Sequence, residues 1–168
     1  KIGDCREVLK TLPDKHFQTC VTSPPYYGLR DYGTDAQIGL EETPEQFVES
    51  LVNVFREVKR VLKDDGTLWL NLGDSYSSGS RTSTTNQTVR GNTDYGVTRP
   101  PPIVGIKPKD LIGIPWRVAF ALQADGWYLR QDIIWHKPNP MPESVQDRCT
   151  KAHEYIFLLS KSPHYYYD

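Results

Sequence analysis

The strongest constraint on this fold sits in residues 43–72, where a capped amphipathic helix runs straight into an almost wholly apolar strand. Thr43-Pro44-Glu45-Gln46 has the residue types of a helix start: Thr43 as N-cap, Pro44 at the first helical position, and Gln46 placed to complete a capping box. Phe47, Leu51, Val54, Phe55, Val58, Val61 and Leu62 then recur at helical spacing and give one stripe to bury. Asp64-Asp65-Gly66 is expected to end the helix. Residues 67–72 (TLWLNL) read as a strand so apolar that a sheet must be covered there on both faces.

The flanking segments extend the pattern. Residues 17–22 (FQTCVT) read as a short buried strand that must stop at Pro24-Pro25, because neither proline can donate to a ladder. Ahead of it, residues 6–12 suit a short helix closed by Pro13. Pro115 can open a second long helix that ends at Gly126, residues 127–136 and 154–160 are strand candidates, and Pro163 followed by His164-Tyr165-Tyr166-Tyr167 suggests a returning hairpin arm. Between them lie a proline-locked loop, Lys137-Pro138-Asn139-Pro140-Met141-Pro142, and a long aperiodic stretch at about 77–110 rich in Ser, Thr, Gly, Asn and Pro, expected to be a flexible insertion. The order is that of one α/β domain with a mainly parallel sheet and a terminal antiparallel hairpin. In such sheets the ligand crevice lies beyond the carboxyl ends of the strands, and Ser23 and Gly73-Asp74 sit at such ends.

The 168 residues suffice for a single core, and the net charge of -1 means that any nucleic-acid contact must come from a local patch. Between Ser77 and Asp110 five basic residues, Arg81 and Arg90 among them, stand against two acidic ones. That stretch suits a phosphate-contacting loop, with a surface insertion as the alternative. Three scattered cysteines, Cys5, Cys20 and Cys149, form no CxxC pair, so neither a zinc site nor a disulfide framework is expected. A reducing, cytoplasmic setting follows, with no membrane-spanning run and no signal-peptide pattern. The chain begins at Lys1 rather than Met, as one lacking its first natural residues would.

Chemistry concentrates at Ser23-Pro24-Pro25-Tyr26. The prolines stiffen the backbone and leave their carbonyls free. A rigid loop offering a side-chain oxygen and a carbonyl suits a ligand with two N–H donors, such as the exocyclic amino group of a base, and Tyr26 can stack on its ring. The bland alternative is a strand end with a Pro-Pro turn.

Thr22-Ser23-Pro24-Pro25-Tyr26-Tyr27-Gly28 resembles the catalytic motif of S-adenosylmethionine-dependent DNA amino-methyltransferases, written Asp/Asn/Ser-Pro-Pro-Tyr/Phe/Trp. Gly3-Asp4-Cys5, the stretch from Gly66 to Asp74, Trp135-His136-Lys137-Pro138-Asn139-Pro140 and His153-Glu154-Tyr155-Ile156-Phe157 resemble the family's flanking motifs in the order of its permuted, beta-type subclass. The resemblance implies a Rossmann-like fold, S-adenosylmethionine as cofactor and double-stranded DNA as partner. It implies catalytic roles for Ser23, Pro24, Pro25 and Tyr26, and cofactor contacts from Asp4, Cys5, Ser23 and Pro24. DNA contacts would come from Tyr27, Arg30, Arg81, Arg90, Lys137 and His153. Ser23 preceded by Thr22 favours cytosine N4 as the target, with adenine N6 as the alternative.

Several residues keep a second reading. Asp4 and Asp74 can be helix caps, and His153 can be a structural hydrogen-bonder. Tyr27, Arg30, Asp31 and Tyr32 can be a solvated loop, and Tyr165, Tyr166 and Tyr167 hairpin core. None of the cysteines follows a proline, which excludes the cysteine nucleophile of methylation at ring carbon 5. The glycine-rich Phe-x-Gly-x-Gly cofactor motif is absent, and in the permuted subclass it follows later, with the target-recognition region. The chain is therefore expected to be the first, catalytic part, completed by a missing segment or second chain, with a restriction endonuclease as partner in a prokaryotic or phage-encoded system. An RNA or protein-glutamine methyltransferase, or a fragment that cannot bind cofactor alone, are the competing readings.

Overall fold

A computed structural model describes residues 1–34, 36–77 and 105–168. The elements are a one-turn helix α1 (Cys5–Val8) continued by a 3-10 turn, β1 (Phe17–Thr22), α2 (Pro44–Val61), β2 (Leu62–Leu72), α3 (Ile114–Ala124), β3 (Tyr128–His136) and β4 (His153–Ser160).

Helix α2 starts as its sequence dictates. The Thr43 hydroxyl accepts from the Gln46 amide, the Gln46 side chain accepts from the Thr43 amide, and Pro44 fills the first turn. Its buried stripe is Phe47, Leu51, Val52, Phe55, Val58 and Val61. All of these but Val61 pack with Val118 and Leu122 of α3 and with Leu68, Leu70 and Leu72 of β2 in one core. Each of those large side chains contributes about 1.5–3 kcal/mol by leaving water.

Helix α2 ends earlier than expected, at Val61, and β2 begins at once. Leu62 pairs with Phe17, after which the ladder resumes only at Thr67 opposite Thr19. Residues 63–66 are therefore extended backbone bulging from the sheet, and Asp64-Asp65-Gly66 is part of the strand rather than a helix stop.

The sheet order is β1-β2-β4-β3. Strands β1 and β2 are parallel, and β4 is antiparallel to both β2 and β3. Strands β1, β2 and β3 consequently run in one direction, with β4 reversed between two of them. The closing antiparallel pair is β3 with β4, one strand earlier than the sequence pattern suggests; residues 164–168 form no strand. Trp116 of α3 packs edge-on against Tyr155 and Phe157 of β4.

Strand β2 buries Leu68, Leu70 and Leu72 on one face, but Trp69 and Asn71 on the other are only half-buried, so the cover expected on both faces is partial. Strand β1 is not the buried strand expected. It lies at the sheet edge, and Phe17, Thr19 and Val21 face outward, Val21 with 77% of its surface exposed. Residues on either side of 78–104 pair with one another: Tyr76 bridges Leu111, the Ser77 amide donates to the Asp110 carbonyl (2.9 Å), and the Lys109 amide donates to the Ser77 carbonyl (3.0 Å). Arg81 and Arg90 lie outside the described residues. Among the described residues no helix is long and apolar enough to cross a membrane.

Candidate active site

Strand direction gathers the site. The carboxyl ends of β1, β2 and β3 and the amino end of the reversed β4 share one edge of the sheet. They bring Ser23-Pro24-Pro25-Tyr26, Gly73-Asp74, Lys137 and His153-Glu154 to that edge. There Ser23, Pro24, Pro25, Tyr26, Leu29, Arg30 and Tyr32 line a pocket of about 310 Å³. That volume lies at the small end of ligand sites and suits a planar, base-sized group.

Tyr26 is the best-anchored member. Its hydroxyl donates toward Glu154 Oε2 (2.8 Å) and lies 3.1 Å from Asn71 Oδ1. The Asn71 amide nitrogen donates to Glu154 Oε2 (3.2 Å) and to the Tyr155 carbonyl (3.1 Å), and Lys137 Nζ donates to Glu154 Oε1. Burial pushes the phenol up to about 12, against a Ser23 hydrogen bond that lowers it and with the Glu154 carboxylate adding to the rise. Glu154 moves the other way. Burial alone would raise it, but hydrogen bonds from Lys137, Tyr26 and Asn71 hold it below its ordinary value. At neutral pH the arrangement is thus a protonated phenol donating to a charged carboxylate, a charge-assisted bond.

Asn71 and Glu154 are site residues that the motifs alone do not single out. A signal existed. Asn71 interrupts an apolar strand and Glu154 opens another, and buried polar groups need partners.

Tyr27 is corrected from a DNA contact to a core residue. It is 2% exposed, its ring stands 5.4 Å from Phe47, and its hydroxyl donates to the Glu42 carbonyl (3.3 Å). The turn that presents Tyr26 to the pocket sends the next side chain inward, and the Gly28 amide closes it on the Gly39 carbonyl (2.7 Å). Lys137 sits at the site edge, but its charge is paired with Glu154 and lies over the Trp135 ring. His153 rests edge-on against Tyr155, a packing contact. Arg30 lines the pocket.

Both ambiguous aspartates cap helices. Asp4 accepts from the Arg6 amide (2.8 Å) and pairs with the Arg6 guanidinium, which holds its carboxyl at about 2. Neither Asp4 nor Cys5, an exposed free thiol, lines the pocket. Asp74 accepts from the amides of Ser75, Gly113 and Ile114 (2.9–3.1 Å), capping α3 from outside its own segment.

Comparison with known proteins agrees with this geometry. A family model described as DNA methylase, N6_N4_Mtase, matches residues 17–168. The Type II methyltransferase M.SmaI of Serratia marcescens is 59% identical over 99% of this chain, and M.Cfr9I of Citrobacter freundii is 58% identical over 99%. This chain covers 57% and 55% of those two proteins, so it spans about half the length of the curated relatives it matches. A DNA modification methylase of Thermus thermophilus, TTHA0409, solved in complex with S-adenosyl-L-methionine and named as putative, superposes with a TM-score of 0.66 at 25% identity over 99% of this chain and 54% of its own. With the sheet, the Ser-Pro-Pro-Tyr loop at its carboxyl edge and these matches together, the fold is Rossmann-like α/β and the chain belongs to the N6/N4 DNA methylase family.

Proposed function

We propose that the protein carrying this chain methylates the exocyclic amino group of a base extruded from double-stranded DNA, cytosine N4 in preference to adenine N6. The observation that carries this reading is the pocket formed by Ser23, Pro24, Pro25 and Tyr26 at the carboxyl edge of the sheet. An exocyclic amine is a poor nucleophile because its lone pair is delocalised into the ring. Ser23 Oγ and the Pro24 carbonyl accept its two N–H bonds, which favours a pyramidal nitrogen and stabilises the positive charge that develops on it. The Tyr26 ring stacks on the base and holds its nitrogen in line. Arg30, at the pocket rim, is placed to meet a neighbouring phosphate.

S-adenosyl-L-methionine supplies the methyl group when bound. Ser23 and Pro24 fit a position beside it, since they line the pocket where acceptor and donor must meet. Asp4 does not fit, because its carboxylate is already committed to Arg6 and the start of α1. The type II naming of the relatives supports a cytoplasmic restriction-modification setting with a cognate endonuclease.

Incubation with tritiated S-adenosyl-L-methionine and duplex DNA, RNA or protein, followed by nucleoside analysis, tests the reading. Label in N4-methylcytosine is the expected result. Label in N6-methyladenine moves the target base, label confined to RNA or protein overturns the DNA reading, and no label anywhere overturns methyl transfer.

A further inference from the structure

The Tyr26 phenol has one proton and two acceptors in reach, Glu154 Oε2 at 2.8 Å and Asn71 Oδ1 at 3.1 Å. The nearer, charged acceptor takes it. Asn71 is held in its orientation because its amide nitrogen faces two acceptors, Glu154 Oε2 and the Tyr155 carbonyl. Lys137 Nζ occupies the other carboxylate oxygen. A charged carboxylate can only accept, so Glu154, met by three donors, sets the direction of every hydrogen bond around it.

The same bond fixes the ring that lines the pocket. Tyr26 stands there beside Ser23, Pro24 and Pro25, and its hydroxyl is tied across the sheet edge to Glu154 on β4. The ring face offered to a ligand is therefore set by Glu154.

We propose that Glu154 is a positioning residue for methyl transfer. By accepting the Tyr26 proton it holds the Tyr26 ring where that ring stacks on the target base. This rests on the methyl-transfer reading given above.

A double-mutant cycle in the protein carrying this chain tests the assignment, with Tyr26→Phe, Glu154→Ala, the double variant and Glu154→Asp compared for kcat, KM for DNA and thermal midpoint. Tyr26→Phe removes one oxygen and keeps the ring, so it reads the hydrogen bond to Glu154 even where Glu154→Ala folds poorly. Each single change is expected to lower kcat on the order of 10- to 100-fold, as a small misplacement of a reacting contact does, with KM for DNA little changed. The double variant should be no slower than the slower single one, and Glu154→Asp should recover part of the rate. Full kcat in Tyr26→Phe, or losses that multiply in the double variant, overturn the positioning role while leaving methyl transfer intact. A thermal midpoint that falls without any change in kcat does the same. No transfer to DNA by the unmodified protein overturns the functional reading itself, and this role with it.

Discussion

The ring of Tyr26 lies directly against the backbone of Gly73: a Cβ built at Gly73 would stand 2.5 Å from Tyr26 Cε2 and 2.9 Å from Cδ2. No such contact is tolerated between real atoms, and the ring cannot swing aside freely because its hydroxyl is held on β4. Gly73→Ala should therefore displace Tyr26 rather than unfold the protein. The expected cost is about 1–3 kcal/mol of stability, as for other overpacked sites, together with a large loss of methyl transfer. Thermal melting followed by circular dichroism, beside a transfer assay, checks both; full activity in this variant would show that the ring position is unimportant.

Asp74 gives a cleaner stability prediction. Gly113 at the start of α3 has no side chain to cap the helix, and the Asp74 carboxylate supplies that cap from the end of β2. Asp74→Ala should cost about 0.5–2 kcal/mol, the usual range for a lost cap. Asp74→Asn, which keeps an acceptor oxygen, should recover much of it. Urea unfolding midpoints of the three proteins measure the difference.

The capped helix α2, the apolar strand β2 and the Ser-Pro-Pro-Tyr loop were legible because each is written in local residue types: a capping box, a helical stripe, two prolines. What was not legible depends on contacts distant in the chain. Tyr27 follows Tyr26 directly, and only the turn at Gly28 decides that one ring faces the pocket and the other Phe47. The edge position of β1 depends on what pairs with it, which alternation within six residues does not encode. The Tyr26–Glu154 bond joins residues 128 positions apart. Asp4 and Asp74 each had two plausible uses, and the helix start that each carboxylate meets decided between them.

Glu154 ties stability to acid. Its folded value lies below its ordinary one, so the carboxylate contributes stability that is present above the unfolded value, about 4.3. That contribution is lost as pH falls through the lower, folded value. Glu154→Gln resembles the protonated form at every pH. The gap in unfolding free energy between the unmodified protein and Glu154→Gln should be full at neutral pH and narrow as pH falls below about 4, near the unfolded value. Denaturant unfolding across that range measures it, and a gap independent of pH would contradict the charged network.

Tyr27 separates core from interface. Its ring is enclosed and its hydroxyl makes one bond, to the Glu42 carbonyl. Tyr27→Phe should lower stability by no more than about 1.5 kcal/mol, the net worth of a hydrogen bond, and should leave DNA affinity unchanged. Tyr27→Ala should cost about 3–5 kcal/mol, as large-to-small aromatic changes in a core do. Weakened DNA binding in a folded Tyr27→Phe variant would restore the interface role that the packing denies it.

Arg30 and Lys137 are both cations at the site edge, and their surroundings assign them different work. Lys137 is paired with Glu154 and stands over Trp135, so its charge is already balanced within the protein. Arg30 lines the pocket beside Tyr32 and Leu29, and under the proposed function that is where the sugar-phosphate chain flanking an extruded base would pass. A side chain that neutralises one phosphate releases condensed counterions, so removing it lowers both the affinity and the salt dependence of binding. Arg30→Ala should therefore weaken binding to all duplex sequences alike and reduce the slope of log affinity against log salt by about 1. Lys137→Ala should leave that slope unchanged and act instead on kcat, through the carboxylate it balances. Fluorescence anisotropy of a labelled duplex at several salt concentrations, run on both variants, distinguishes them. Equal salt slopes for Arg30→Ala and the unmodified protein would remove Arg30 from the DNA interface.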